Sequence, residues 1–255
     1  MQFFSSRGVR IAFIDMPPPA GDRGEPILLI HGFASTHAIN WVNPGWVKTL
    51  IEAGRRVVAL DNRGHGESDK PYDPAAYAMP IMASDARGLL DHLGIVEADV
   101  MGYSMGARIA AFLALDVPTM VRSLVFGGLG HHLVGRGGLP PGLAHALEAP
   151  TLDEVTDPIQ RMFRAFAEAS KSDLRALSAC ARGSRQALPA DEVARIRAPA
   201  LVAVGTKDEI AGDAHELAAL LPNGRALDIP RRDHNLAVGD KVFKQGVLDF
   251  LEERV

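Results

Sequence analysis

The sequence is nearly without cysteine. Cys180 stands alone among 255 residues, so no disulfide can form within the chain. With no Cys/His cluster at ligand spacing, a metal site is not expected either. Cys180 reads as a small buried hydrophobe. Long apolar runs are also missing: nothing approaches the ~20 residues of a membrane span, and the first ten residues lack the apolar segment of a signal peptide. The expectation is a soluble cytoplasmic protein that engages no membrane. Charge of one sign is likewise lacking, since 27 Lys and Arg stand against 31 Asp and Glu for a formal charge of −4. That balance offers no pull on a phosphate backbone and argues against nucleic acid as a partner. Aromatic residues are scarce at 6%, yet 47% hydrophobic and 23% charged residues make the composition that of an ordinary globular protein. Disorder and collagen are excluded, and the length suits one α/β domain with a single good core. What is plentiful is glycine (25) and proline (17), a density that punctuates many short turns.

Short apolar runs alternate with longer segments of helical spacing, which is the pattern of an α/β fold with a mostly parallel sheet covered on both faces. Strands are predicted at 27–30, 56–60, 98–102, 123–126, 200–204 and 225–229, whose Ile, Leu and Val content fits burial on both faces. Crossover helices are predicted at 46–52, 77–93, 104–116, 213–221 and 241–253. Residues 2–4 and 9–14 read as an antiparallel pair before the Pro17-Pro18-Pro19 break. The rhythm fails over 131–198, where the best element is a helix carrying Ile159, Met162, Phe163 and Phe166 on one stripe. With a Gly- and Pro-rich entry at 135–142 and Ala198-Pro199 at its exit, this segment reads as a helical cap, or lid, inserted after the sixth strand. The division is then a core of 1–130 and 199–255 and a cap of 131–198. The aromatic stripe either packs the cap onto the core or walls a substrate pocket.

The residues that carry chemistry begin with Gly102-Tyr103-Ser104-Met105-Gly106, which follows an apolar strand and opens a predicted helix. That is the context of a G-x-S-x-G nucleophile elbow. A serine on so sharp a turn needs neighbours without side chains two positions away, where strand and helix backbones crowd. The strand 27–30 ends in His31-Gly32-Phe33. Acyl transfer needs two N–H groups aimed at the developing oxyanion, and the candidates are those of Met105, at the helix start, and Phe33, in that turn.

Together with Asp61-Asn62-Arg63-Gly64-His65-Gly66-Glu67-Ser68-Asp69, Val204-Gly205-Thr206-Lys207-Asp208 and Arg232-Asp233-His234, these strings resemble those of the α/β-hydrolases over nearly the whole chain outside the cap. The resemblance implies the α/β-hydrolase fold and a triad in the chain order serine, acid, histidine. Asp208 is the favoured acid, because it follows a strand at the carboxyl edge of the sheet where ligand chemistry collects. The other acid position of the family reads Phe126-Gly127-Gly128-Leu129-Gly130 and holds no carboxylate; Glu209 is the near competitor. His234 sits between the last strand and the final helix, whereas His215 falls in a helix and His65 in the 61–69 string, which resembles the family's structural turn rather than a catalytic or metal loop. Gly128-Leu129-Gly130 lacks the third glycine of a dinucleotide fingerprint.

The resemblance therefore implies a cofactor-free, metal-free serine hydrolase of carboxylesterase type acting on a small-molecule ester. Ser104 attacks, His234 is the general base, Asp208 orients it, and Phe33 and Met105 hold the oxyanion. Candidate pocket residues are Trp41, Tyr103, His131, Met162, Phe163 and Phe166. The same triad in related enzymes opens enol-lactones, cleaves carbon–carbon bonds in ring-fission products or makes peracids, and Asn40-Trp41 beside the oxyanion turn keeps carbon–carbon cleavage open. Dehalogenases and epoxide hydrolases of the family carry aspartate at the elbow, so Ser104 argues against both. A non-catalytic binding protein on a hydrolase scaffold is the alternative from another class. Charges within 131–198 nearly balance, which assigns the substrate no charge.

Overall fold

The computed structural model describes residues 1–18, 24–135 and 138–254; Pro19 of the proline break and Gly137 of the cap entry lie outside the described residues. The chain opens with β1 (Gln2–Ser6) and β2 (Val9–Met16), an antiparallel hairpin turned at Arg7-Gly8, both at positive φ. β3 (Pro26–Ile30), α1 (Trp46–Glu52), β4 (Arg56–Leu60), α2 (Met79–His92), β5 (Ala98–Tyr103), α3 (Met105–Asp116) and β6 (Val121–Gly127) follow in strict alternation. Four helices then precede the next strand: α4 (Leu143–Glu148), α5 (Pro158–Ala169), α6 (Leu174–Gly183) and α7 (Ala190–Val193). β7 (Ala200–Gly205), α8 (Ala214–Leu220), β8 (Gly224–Ile229) and α9 (Lys241–Glu253) complete the order. The strands form one sheet, β1-β2-β4-β3-β5-β6-β7-β8, in which β3 to β8 are parallel and β1 and β2 antiparallel. Among the described residues no helix is long and apolar enough to cross a membrane.

The period of two in the strands explains why both faces are covered. In β3, Leu28 and Ile30 join the core beneath α2, α3 and α8, while Ile27 and Leu29 join the core beneath α1 and α9; all four are fully buried. A strand apolar on both faces is stable only with a helix on each, at roughly 1.5–3 kcal/mol per buried aliphatic side chain. β8 departs from the expectation of two-sided burial. It is the edge strand, and only Ile229 is buried in it. The helix predicted from residue 77 begins at Met79 instead, because Asp73 caps a separate 3-10 turn over Pro74–Tyr77, leaving Tyr77 in the core.

The site-bearing feature is a crossing of three backbones. A Cβ on Gly102 would lie 2.2 Å from the Gly106 carbonyl oxygen, and a Cβ on Gly106 would lie 2.0 Å from that of Ile30. The end of β5, the start of α3 and the end of β3 thus touch through main-chain atoms, and only glycine fits at either contact. Replacing Gly106 by Ala should lower stability by about 3 kcal/mol or more, as expected when backbone must move. A urea midpoint for G106A within error of wild type would refute this account of the crossing.

Candidate active site

The crossing holds Ser104 at φ 55° and ψ −114°, outside the regions an L-residue prefers, so its side chain projects from the tip of the turn. Its N–H is anchored to the Gly127 carbonyl of β6 at 2.7 Å. His234 Nε2 lies 3.0 Å from Ser104 Oγ, and His234 Nδ1 lies 2.7 Å from Asp208 Oδ2. In the matching tautomer Nδ1–H donates to the carboxylate and Nε2 accepts the serine hydroxyl. The Asp208 carboxylate is fully shielded, and its other oxygen accepts the N–H groups of Ile210 (2.9 Å) and Ala211 (3.0 Å). It therefore cannot swing away from the ring. Glu209, by contrast, is exposed and borders a cavity.

The His234 loop is held from both sides. The Tyr103 hydroxyl donates to the His234 carbonyl at 2.5 Å, and the Asp233 carboxylate accepts the N–H groups of Asn235 and Leu236. Opposite, a Cβ on Gly32 would stand 3.4 Å from Ser104 Cβ, which brings the His31-Gly32-Phe33 turn directly beside the serine. Asn40 Oδ1 accepts the Gly32 N–H at 2.8 Å. Among the described residues the N–H groups of Phe33 and Met105 have no protein acceptor, so both are free to bind an oxyanion.

The 61–69 turn supports this arrangement from behind and borders neither cavity described below. His31 Nδ1–H donates to the Gly32 carbonyl (2.7 Å) and its Nε2 accepts the Asn62 N–H (2.9 Å), which ties the oxyanion turn to the start of the 61–69 segment. Burial pushes His31 down to about 4 and His65 down to about 3, so both rings are neutral. Burial opposes ionisation of Asp61, but the hydrogen bonds it accepts from His37 (2.8 Å) and from the Glu67 N–H (2.9 Å) outweigh it and hold the carboxyl at about 2. Arg63 spans Asp85 of α2 with two 2.7 Å bonds, both residues being buried.

Two cavities meet at Ser104, of about 430 and 380 Å³, with Phe163 in the wall of each. The smaller is bordered by Tyr103, Met162, Phe163 and Phe166, together with Phe33, Asn40 and His234. Two predicted pocket residues lie elsewhere. Trp41 is fully buried against Trp46 at a centroid distance of 6.4 Å and belongs to the core beneath α1, because the helical turn Ala38–Val42 aims Asn40, not Trp41, at the oxyanion turn. His131 turns toward Glu216 of α8 (3.5 Å), and its neighbour His132 borders the larger cavity instead. Sequence reasoning missed Arg108, which borders the larger cavity; its position one helical turn beyond Ser104 was the available signal.

Comparison with known proteins agrees with this fold. A family model for the alpha/beta hydrolase fold matches residues 25–133. Epoxide hydrolase 4 of Mus musculus is 38% identical over 109 residues, covering 42% of this chain and 29% of that protein. The dihydrolipoyllysine-residue acetyltransferase component of the acetoin cleaving system of Pseudomonas putida is 32% identical over 252 residues, covering 91% of this chain and 65% of that protein. The chain thus spans less than two thirds of either relative. Among solved structures, the enol-lactonase from Burkholderia xenovorans LB400 superposes with a TM-score of 0.78 over 99% of this chain and 100% of that one, at 21% identity. The chain is an α/β-hydrolase-fold protein.

The buried histidines make stability depend on acid in a defined direction. A histidine lowered in the folded state binds its proton more readily when unfolded, so stability falls as pH drops below about 6.5 toward the folded values near 4 and 3. Asp61 adds stability above its ordinary range that is lost as pH falls toward about 2. His65→Asn, which keeps a donor for the Arg63 carbonyl, should lower the slope of unfolding free energy against pH by about one proton between pH 6 and 4. Denaturant titrations at stepped pH measure that slope; parallel curves for the two proteins would contradict the assignment.

Proposed function

We propose that this protein is a serine hydrolase that cleaves a carboxylic ester of a small or medium-sized molecule through an acyl-enzyme, without a cofactor. The observation that carries the reading is the unbroken hydrogen-bonded line from the shielded Asp208 carboxylate through His234 to a strained Ser104, beside two unspent N–H groups. In the first half-reaction Ser104 Oγ bonds to the carbonyl carbon while His234 takes its proton. The Phe33 and Met105 N–H groups hold the oxyanion, and the alcohol leaves with the proton from His234. Water then attacks the acyl-serine with His234 again as base, releasing the acid and restoring the serine. Asp208 stabilises the imidazolium in both halves. The helices between β6 and β7, whose Met162, Phe163 and Phe166 border the serine, act as the cap.

A second reading on the same residues is opening of an enol-lactone or cleavage of a carbon–carbon bond next to a ketone. Asn40 supports it: its Oδ1 is fixed by Gly32, and it borders the smaller cavity, where its amide nitrogen can donate to a second substrate oxygen. The likeness in shape to an enol-lactonase supports it as well. Epoxide opening fits less well, since a serine stands at the elbow.

Ser104→Ala should lower kcat on a short-chain aryl ester by at least about a thousandfold. A fluorophosphonate should add its mass to Ser104 in the wild-type protein only. Turnover retained in S104A would sink the assignment, and failure of the wild-type protein to react with the probe would favour a binding protein. Parallel rates on an aryl ester, an enol-lactone and a ring-fission diketone decide between the two readings.

A further inference from the structure

Arg108 is a buried cation with no carboxylate in salt-bridge range among the described residues. It lies on α3 one turn beyond Ser104, its N–H donating to the Ser104 carbonyl at 3.2 Å, and it is 3% exposed. Nη1 donates to the carbonyls of Leu133 (3.1 Å) and Gln186 (3.4 Å), and Nη2 to that of His132 (2.7 Å). A guanidinium has five N–H donors, so two are left without a protein acceptor among the described residues. The other buried arginines differ. Arg63 faces Asp85, Arg55 faces Glu25 and Asp99, and Arg164 faces Glu168. A buried charge with carbonyl partners but no counter-ion is costly, which makes this guanidinium a candidate for pairing with an anionic ligand. Burial lowers the Arg108 pKa to about 10, which leaves the group charged at neutral pH.

The position of this cation gives it a use. Arg108 borders the larger cavity, which Ser104 and Met105 also border and whose wall is otherwise mostly apolar, with Leu129, Leu139 and Ile159. The charged side chains Arg185 and Glu209 also line it, but both are exposed, so solvent screens them far more than it screens Arg108. The smaller cavity carries Ile39, Met162, Phe166 and Val238 and no Asp, Glu, Lys or Arg among its described lining residues. We infer that the substrate bears a carboxylate on one side of its scissile bond, seated in the larger cavity on Arg108, and an uncharged apolar group on the other. The inference rests on the serine-hydrolase reading above. It assigns substrate charge, which composition did not.

Turnover and binding test it separately. For turnover, aryl esters of glutaric half-acid are compared with aryl esters of the methyl-capped acid, and alcohol-side carboxylates with their methyl esters. The wild-type protein should prefer the carboxylate in one of the two series by about tenfold or more in kcat/KM, chiefly through KM, as a charged hydrogen bond predicts. In R108M that ratio should collapse toward one, and in R108K it should recover in part. A wild-type ratio near one in both series overturns the inference, as does an R108M protein that keeps the ratio while both rates fall, which would make Arg108 only a stitch between α3 and the carbonyls it touches. For binding, calorimetry on S104A with monomethyl glutarate and dimethyl glutarate needs no turnover. Tighter binding of the mono-acid supports the site, and equal binding overturns it. If the wild-type protein cleaves no ester yet S104A discriminates the two ligands, the reaction is wrong and the anion site stands.

Discussion

Everything in this molecule that resembles chemistry depends on one steric constraint, the main-chain contact of β3, β5 and α3 at Ile30, Gly102 and Gly106. Backbones that touch without side chains between them fix distance to a fraction of an ångström. Ser104 is placed between them, at φ 55°. Such a conformation costs of order 1–3 kcal/mol and persists only where its surroundings over-determine it. Here the surroundings are the central strands, fully buried on both sides, and the Gly127 carbonyl that takes the Ser104 N–H. The serine is held by the most stable part of the fold rather than by its own loop.

The groups that face the serine are held by hydrogen bonds rather than by packing alone, and each bond has an electrostatic consequence. Asp208 accepts three donors while shielded from water, which makes the field of its carboxylate on His234 stronger than an exposed carboxylate could supply. His31 and His65 are pressed neutral by burial, so neither ring places a positive charge behind the His31-Gly32-Phe33 turn. The donors proposed for the oxyanion, the N–H groups of Phe33 and Met105, are backbone dipoles fixed before any substrate arrives, which would leave little reorganisation for the moment of reaction.

Much of this was legible in the sequence because it is written in local pattern. Continuous Ile, Leu and Val runs mark strands buried on two faces, and the elbow, the 61–69 turn and the loops ending in Asp208 and His234 fall at strand ends that those runs delimit. What was not legible depends on direction. Trp41 and Asn40 are adjacent, and nothing in their order says which one faces the serine; the helical turn that carries them decides it. His131 and His132 divide in the same way, one toward α8 and one toward the cavity. Arg108 escaped for a different reason. The charge balance over 131–198 does not include it, because Arg108 lies outside that segment, on the helix that begins at the serine, where only the fold brings it to the cavity wall.

The segment between β6 and β7 joins binding to chemistry. The Phe163 ring meets Phe33 of the oxyanion turn edge-on at 6.0 Å, and Ser170 Oγ, just past the end of α5, donates to the Ala34 carbonyl at 3.1 Å. Ala34 itself sits at φ 57°, a second strained residue immediately after the proposed oxyanion donor. The same helix whose Phe163 stands in the wall of both cavities thus also braces the turn that carries the Phe33 N–H. Arg108 does the corresponding work on the other side, linking the helix that begins at the serine to the carbonyls of His132, Leu133 and Gln186 near the two ends of the segment. A ligand that moved α5 would therefore alter both the shape of the pocket and the aim of an oxyanion donor. In the proposed reaction, substrate fit and transition-state stabilisation would be set by one set of contacts, and the crossing at Gly102 and Gly106 gives those contacts a fixed point to act against.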